Sequence, residues 1–172
     1  MRALSNLQRD VLLAGLGGLR KFCFSLTGNA ADADDLLQTT VERVLDKGMP
    51  QDAHAAKWAY RICKNAWIDE LRSREVRGRY PQLVTEQVVE QPTESPSAEQ
   101  AASGEREVAA VSDALDRIPA DQRLALTLVA MEGKTYAEAA EILEVPVGTI
   151  MSRIARARSK LMETYDPSNE NK

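Results

Sequence analysis

Residues 135–161 constrain the fold of this chain more than any other stretch. Thr135, with Glu138 three positions later, makes a capping box ahead of a short Ala-rich run in which Ala137, Ala140 and Ile142 are small or apolar enough for a second helix to cross closely. Pro146 suits the start of the next helix and is poorly tolerated inside one. From Val147 onward, Ile150, Ile154, Ala157 and Leu161 recur at i, i+4, i+7 and i+11, which makes one buried stripe. A short helix, a tight turn and a longer helix form a helix-turn-helix, the layout that places its second helix in the DNA major groove.

Charge follows the same geometry. The opposite side of the second helix carries Met151, Ser152, Ala155, Arg156 and Ser159. Between Val147 and Met162 stand Arg153, Arg156, Arg158 and Lys160 with no acid, while the whole chain is net −4. A basic stripe on an acidic protein is what contact with backbone phosphates requires. Cations complementing the C-terminal dipole of a solvated helix would give the same local charge, but would not explain the capping box and turn before it.

At 172 residues the chain has room for one ordinary domain or two small ones. Its 44% hydrophobic and 28% charged residues fit a soluble globular protein, and no apolar run approaches the ~20 residues of a membrane helix. No secretory signal opens the sequence, so a cytoplasmic location without membrane insertion is expected. Cys23 and Cys63 each sit in an apolar helical pattern and read as buried reduced thiols. His54 has no metal-ligand spacing to either, and no metal is expected.

A composition shift divides the chain. Between Pro81 and Ser112 there are six acids and one base, with Pro92, Pro96, repeated Gln and Ser, and no sustained apolar period. This is the signature of an acidic, flexible linker, whose C-terminal end turns helical from about Ala98. Neither flank shows strand alternation. The expected architecture is all-α: a helical domain over residues 1–80, the linker over 81–112, a second helical domain with the helix-turn-helix over 113–165, and a tail over 166–172.

In the first domain, Leu4, Leu7, Val11, Leu12, Leu16 and Leu19 make a helical stripe in which Gly15, Gly17 and Gly18 predict a kink or break. Thr27-Gly28-Asn29 ends that segment. Asp32, Asp34 and Asp35 then complement the start of a second helix, whose buried face is expected from Leu37, Val41, Val44 and Leu45. On a third helix from Ala55 to Arg72, Trp58, Ala59, Ile62, Cys63 and Ala66 share one face, and Lys57, Arg61, Lys64 and Arg72 line the opposite one. Tyr60 and Trp67 fall beside the cations. Basic residues for phosphates next to aromatic rings for stacking suit single-stranded nucleic acid; packing of Tyr60 and Trp67 against a neighbouring helix explains the same residues equally well. Arg74, Arg77 and Arg79 extend the cationic run.

Three segments together carry a family resemblance. Asp34-Asp35-Leu36-Leu37-Gln38, then Trp58-Ala59-Tyr60-Arg61-Ile62-Cys63-Lys64-Asn65 with Ile68-Asp69-Glu70-Leu71-Arg72, then Pro146-Val147-Gly148-Thr149-Ile150-Met151-Ser152-Arg153 with Arg156-Ala157-Arg158, resemble the extracytoplasmic-function (ECF) sigma factors of bacterial RNA polymerase. The match covers nearly the whole chain, in order, with a linker in the corresponding place.

The resemblance implies a promoter-specificity subunit without enzyme activity or cofactor. It implies that Asp35, Leu36 and Gln38 contact the clamp of the largest subunit of core RNA polymerase. Lys57, Tyr60, Arg61, Lys64, Asn65, Trp67 and Arg72 would then melt the minus-ten element and hold its single strand, where capturing an unstacked base suits aromatic and amide partners. Thr149, Met151, Ser152, Arg153, Ala155, Arg156 and Ser159 would read the minus-thirty-five element while the second domain docks on the polymerase flap. An anti-sigma factor is the further partner it implies.

Met151 and Ala155 stand where the family commonly has basic, bulkier or polar residues, which shifts base readout toward apolar contact, Ser152, Arg156 or DNA shape. Thr39 replaces the usual Glu after Gln38. Glu144 replaces a common turn glycine, which predicts a turn without a left-handed residue there. The alternative is a conventional helix-turn-helix regulator of duplex DNA. No nucleophile with a base, phosphate loop or metal site accompanies either reading.

Overall fold

The computed structural model describes residues 3–79, 110–111 and 113–165. Every regular element among them is helical: α1 (Asn6–Thr27), α2 (Ala30–Lys47), α3 (Ala55–Arg79), α4 (Ala120–Leu126), α5 (Tyr136–Leu143) and α6 (Val147–Tyr165), with a π-helical turn over Thr127–Met131 at the end of α4. Residues 110–111 and 113–116 are also helical. The expected linker from 81, its helical end from Ala98, and the tail from 166 otherwise lie outside the described residues.

α1 starts from a capping box in which Ser5 Oγ accepts from the Gln8 N–H (3.2 Å) and Gln8 Oε1 accepts from the Ser5 N–H (3.0 Å). It then runs unbroken through Gly15, Gly17 and Gly18, contrary to the expected kink. Each helical glycine costs about 1 kcal/mol relative to alanine. Leu12 before them and Leu19, Phe22, Cys23 and Leu26 after them bury one common face, and that burial outweighs the local cost. Gly28, at φ 80°, closes α1, and Asn29 Oδ1 accepts from the Asp32 N–H at 2.8 Å to open α2.

The buried face of α2 is Ala33, Leu36, Thr40 and Val44, with Leu37 and Val41 half-buried and Leu45 54% exposed. The expected face of Leu37, Val41, Val44 and Leu45 is therefore rotated by about one position. Thr40 is the reason: its hydroxyl donates to the Leu36 carbonyl at 2.7 Å, which satisfies it internally and lets it turn inward. Across the core, Cys23 Sγ lies 3.5 Å from Cys63 Sγ on α3, and both are buried free thiols, as expected. The hydrogen bond to Cys23, with burial adding to it, pushes the Cys63 thiol well above its usual range.

In the second group of helices both capping-box bonds of Thr135 and Glu138 form, at 2.9 and 3.1 Å. The expectation for Glu144 fails: it adopts φ 58°, ψ 43°, the left-handed conformation, and is the non-glycine residue with positive φ among those described. Its N–H closes onto the Ala140 carbonyl, as does that of Val145 at 3.1 Å, so the turn geometry fixes φ whichever residue stands there. Ile150, Ile154 and Ala157 are buried as the sequence stripe predicts, and Leu161 is half-buried.

The two groups share a continuous core. Arg123 of α4, 5% exposed, donates from Nε and Nη2 to the Ser25 carbonyl (3.2 and 2.8 Å) and from Nη1 to Asp116 Oδ1 (2.6 Å). α3 meets α5, and α1 meets the π-helical turn. Among the described residues no helix is long and apolar enough to cross a membrane, and no cluster of metal-ligating side chains occurs.

Candidate nucleic-acid interface

The recognition face of the helix-turn-helix is open. Met151, Ser152, Ala155, Arg156 and Ser159 are all exposed on the outer side of α6, because the stripe from Ile150 to Ala157 fixes the rotation of the helix on α4 and α5. Thr149 is half-buried, and its carbonyl accepts from Ser152 Oγ at 3.0 Å. Arg153 departs from this set. It is half-buried and pairs with Asp121 of α4 at 3.3 Å, so its guanidinium serves packing within the second group.

The residues singled out on α3 divide differently. Asn65 and Arg72 are exposed, whereas Tyr60, Lys64 and Trp67 are buried at 5, 8 and 5% exposure. Tyr60 sits edge-on to Phe22 with ring centroids 5.1 Å apart, and its hydroxyl donates to Glu132 Oε2 at 3.0 Å. Burial, reinforced by the Glu132 charge, pushes the Tyr60 phenol well above its usual range and keeps it a donor. Lys134 lies 4.9 Å above the same ring. The hydroxyl has room because residue 18 is glycine: a Cβ there would stand 3.0 Å from it.

Lys57, Arg61 and Lys64 of α3 are also occupied. Lys57 pairs with Glu141, Arg61 Nη2 donates to the Glu141 carbonyl at 2.8 Å, and Lys64 and Arg61 reach Glu144 at 3.4 and 3.8 Å. Arg61 also covers the Trp58 ring at 5.8 Å. Glu132, Glu141 and Glu144 all belong to the second group of helices. Sequence reasoning missed these acids and Arg123, and no local signal marks them: their partners lie 72 to 98 residues away, beyond the reach of any helical periodicity.

On α2, Asp35 and Gln38 are exposed, with Gln38 donating to Glu42 at 3.0 Å, while Leu36 is buried in the core. Asp34 holds Arg20 at 2.8 Å. Asp32 lies below the usual carboxylate range because Asn29 donates to it and, secondarily, because Arg74 stands beside it. A cleft of about 860 Å³ separates these elements from the second group; Asp35, Leu36 and Thr39 line one side, Trp67 and Arg74 another, and Arg123 closes it.

An outward-facing basic recognition helix on a helix-turn-helix, packed against a three-helix unit with a cationic and aromatic third helix, defines a helical DNA-binding protein. Its family follows from comparison with known proteins. The sigma-70 region 2 family model matches residues 14–77, and the sigma-70 region 4 model matches residues 109–161. The chain is 36% identical over 166 residues to the ECF RNA polymerase sigma factor EcfG of Rhodopseudomonas palustris, covering 92% of this chain and 84% of that one. It is 34% identical over 145 residues to SigE of Mycolicibacterium smegmatis, covering 83% of this chain and 55% of that one. Among solved structures it resembles the sigma factor RpoE of Bartonella quintana, crystallised with the anti-sigma factor NepR, at a TM-score of 0.66 and 28% identity, covering 91 and 94% of the two chains. The chain belongs to the ECF sigma factors of the sigma-70 family.

Proposed function

We propose that this protein is a sigma factor that brings core RNA polymerase to specific promoters, with residues 1–80 serving the clamp and the minus-ten element and residues 113–165 serving the minus-thirty-five element and the flap. The observation that carries the reading is the outer face of α6, where Met151, Ser152, Ala155, Arg156 and Ser159 stand free together above a buried apolar stripe. Arg156 is the cation on that face suited to a base edge or phosphate, and Thr149 lies at its margin. Arg153 contributes by fixing α6 on α4.

On the first domain, Asp35 and Gln38 offer polar groups to the polymerase clamp, and Leu36 holds their helix in place from the core. Asn65 and Arg72 are accessible to a melted strand as they stand; Lys57, Tyr60, Arg61, Lys64 and Trp67 belong to the same strand-binding set. The reading includes no catalysis by the chain itself and a cytoplasmic site of action. Control by an anti-sigma factor is supported by the likeness to RpoE, whose solved structure contains one.

The test is transcript sequencing with purified core RNA polymerase on fragmented genomic DNA, with and without this protein. New start sites sharing two spaced upstream elements are expected. Arg156→Ala is expected to reduce those starts roughly 5- to 150-fold, from loss of a contact of ~1–3 kcal/mol, while binding to core polymerase stays unchanged. Asn65→Ala is expected to lower permanganate reactivity at the minus-ten region. Sequence-specific duplex binding by the free protein without new starts would favour the conventional regulator.

A further inference from the structure

The N-terminal half of α6 carries an apolar ridge on its recognition face. Val147, Met151 and Ala155 recur at i, i+4 and i+8, so they lie along one side of the helix, and all three are exposed, Val147 at 42% and Met151 at 54%. We propose that this ridge reads thymine: Val147 and Met151 pack on the 5-methyl groups of thymines in the minus-thirty-five element, and this chain selects its promoters there chiefly by apolar contact. The proposal deepens the sigma-factor reading of α6 and rests on it.

The polar groups of the same turns are engaged elsewhere or turned away. Ser152 Oγ donates to the Thr149 carbonyl at 3.0 Å, so its hydroxyl hydrogen is held within the helix and not offered to an acceptor on a base edge. Arg153 is half-buried and pairs with Asp121 of α4 at 3.3 Å. Thr149 is half-buried too. Arg156, one position past the ridge, remains as the charged side chain on the outer face.

The major groove supplies the complement. In a helix-turn-helix the N-terminal residues of the second helix are the ones that reach base edges. Thymine alone of the four bases carries a methyl group there, and removing that methyl and an apolar side chain from water together is favourable without any hydrogen bond. The other bases present donors and acceptors that Val147 or Met151 would strip of water and leave unpaired. The ridge thus favours thymine by attraction and disfavours its competitors by desolvation.

Spacing fixes which thymines are read. Val147 and Met151 stand four residues apart, about 6 Å along the helix axis at ~1.5 Å per residue. Successive base pairs rise by ~3.4 Å, so the two side chains meet bases about two pairs apart. The angle of the ridge is fixed as well, because Ile150, Ile154 and Ala157, each at 2% exposure or less, lock the rotation of α6 against α4 and α5. The unbranched side chain of Met151 adapts to the methyl it meets, whereas Val147 is stiff.

The test uses the holoenzyme of core RNA polymerase with this chain and, as probe, duplexes of the strongest promoter mapped by transcript sequencing. In each duplex one thymine of the minus-thirty-five element is replaced by deoxyuracil, which removes the methyl group and keeps every hydrogen-bonding group. Affinity is expected to fall about fourfold at each of two thymines about two base pairs apart, the effect of one buried methyl group. With Met151→Ala the loss at one of these positions is expected to disappear, and with Val147→Ala the loss at the other; both side chains are exposed, so neither substitution touches the core. Arg156→Ala is expected to weaken binding to thymine and deoxyuracil duplexes alike. An element without thymine on either strand, deoxyuracil duplexes bound as tightly as the parent, or losses that persist undiminished in both variants overturns the methyl reading while the mapped start sites uphold the sigma factor. No new start sites with the holoenzyme overturns the sigma-factor reading, and the ridge with it.

Discussion

Gly18 shows how one missing methyl group shapes the contact between the two groups of helices. A Cβ at Gly18 would meet the Tyr60 hydroxyl at 3.0 Å and Glu132 Oε2 at 3.5 Å, whereas one at Gly17 would meet nothing within 4 Å. Both lie inside α1, where alanine is favoured over glycine by about 0.5–1 kcal/mol. Gly17→Ala is therefore expected to stabilise the protein by about that amount in urea unfolding. Gly18→Ala is expected to gain less or to lose stability, because the Tyr60–Glu132 hydrogen bond must shift. Equal gains from the two substitutions would show that the bond adjusts freely.

At the scale of the element, the capping box sets where the helix-turn-helix begins. Thr135→Ala removes the acceptor for the Glu138 N–H and is expected to cost about 1 kcal/mol, read from thermal unfolding. Glu138 is held below its usual range chiefly by the Thr135 N–H. Its ionised form is thus favoured by folding, and its contribution is present above the usual carboxylate range and lost as pH falls through its lowered value. The difference in melting temperature between wild type and Glu138→Gln is expected to be full at neutral pH and to shrink as the pH falls below the usual carboxylate range. On α6, Ile154→Ala opens a cavity under the recognition face and is expected to cost about 2–5 kcal/mol. The left-handed Glu144 shows that an element boundary is set by closure of the preceding helix rather than by the preference of the residue placed there.

For the whole molecule, Arg123 decides whether the two groups of helices behave as one unit. Its guanidinium ties α4 to the last turn of α1 through the Ser25 carbonyl while pairing with Asp116. Arg123→Ala leaves that carbonyl without its donor and a space in the shared core, at a cost of about 1–3 kcal/mol. The expected result is separation of a single urea transition into two, one for each group. A single transition merely shifted to lower urea would mean that the apolar contacts alone keep the groups cooperative.

What the sequence determined by itself was everything carried by short-range pattern. The capping box at Thr135, the buried stripe of Ile150, Ile154 and Ala157, the exposed outer face of α6 and the buried thiols of Cys23 and Cys63 all follow from periodicity and local hydrogen-bonding chemistry. The family was legible too, from three motifs in order. Tertiary structure alone decided the continuity of α1 through its glycines, the inward turn of Thr40, the burial of Tyr60 and Trp67, and the pairing of α3 with Glu132, Glu141 and Glu144. The physical reason is range. A helix's capping and amphipathic face are fixed by residues within a few positions, whereas the occupant of its polar face depends on which distant carboxylates the folded chain brings there.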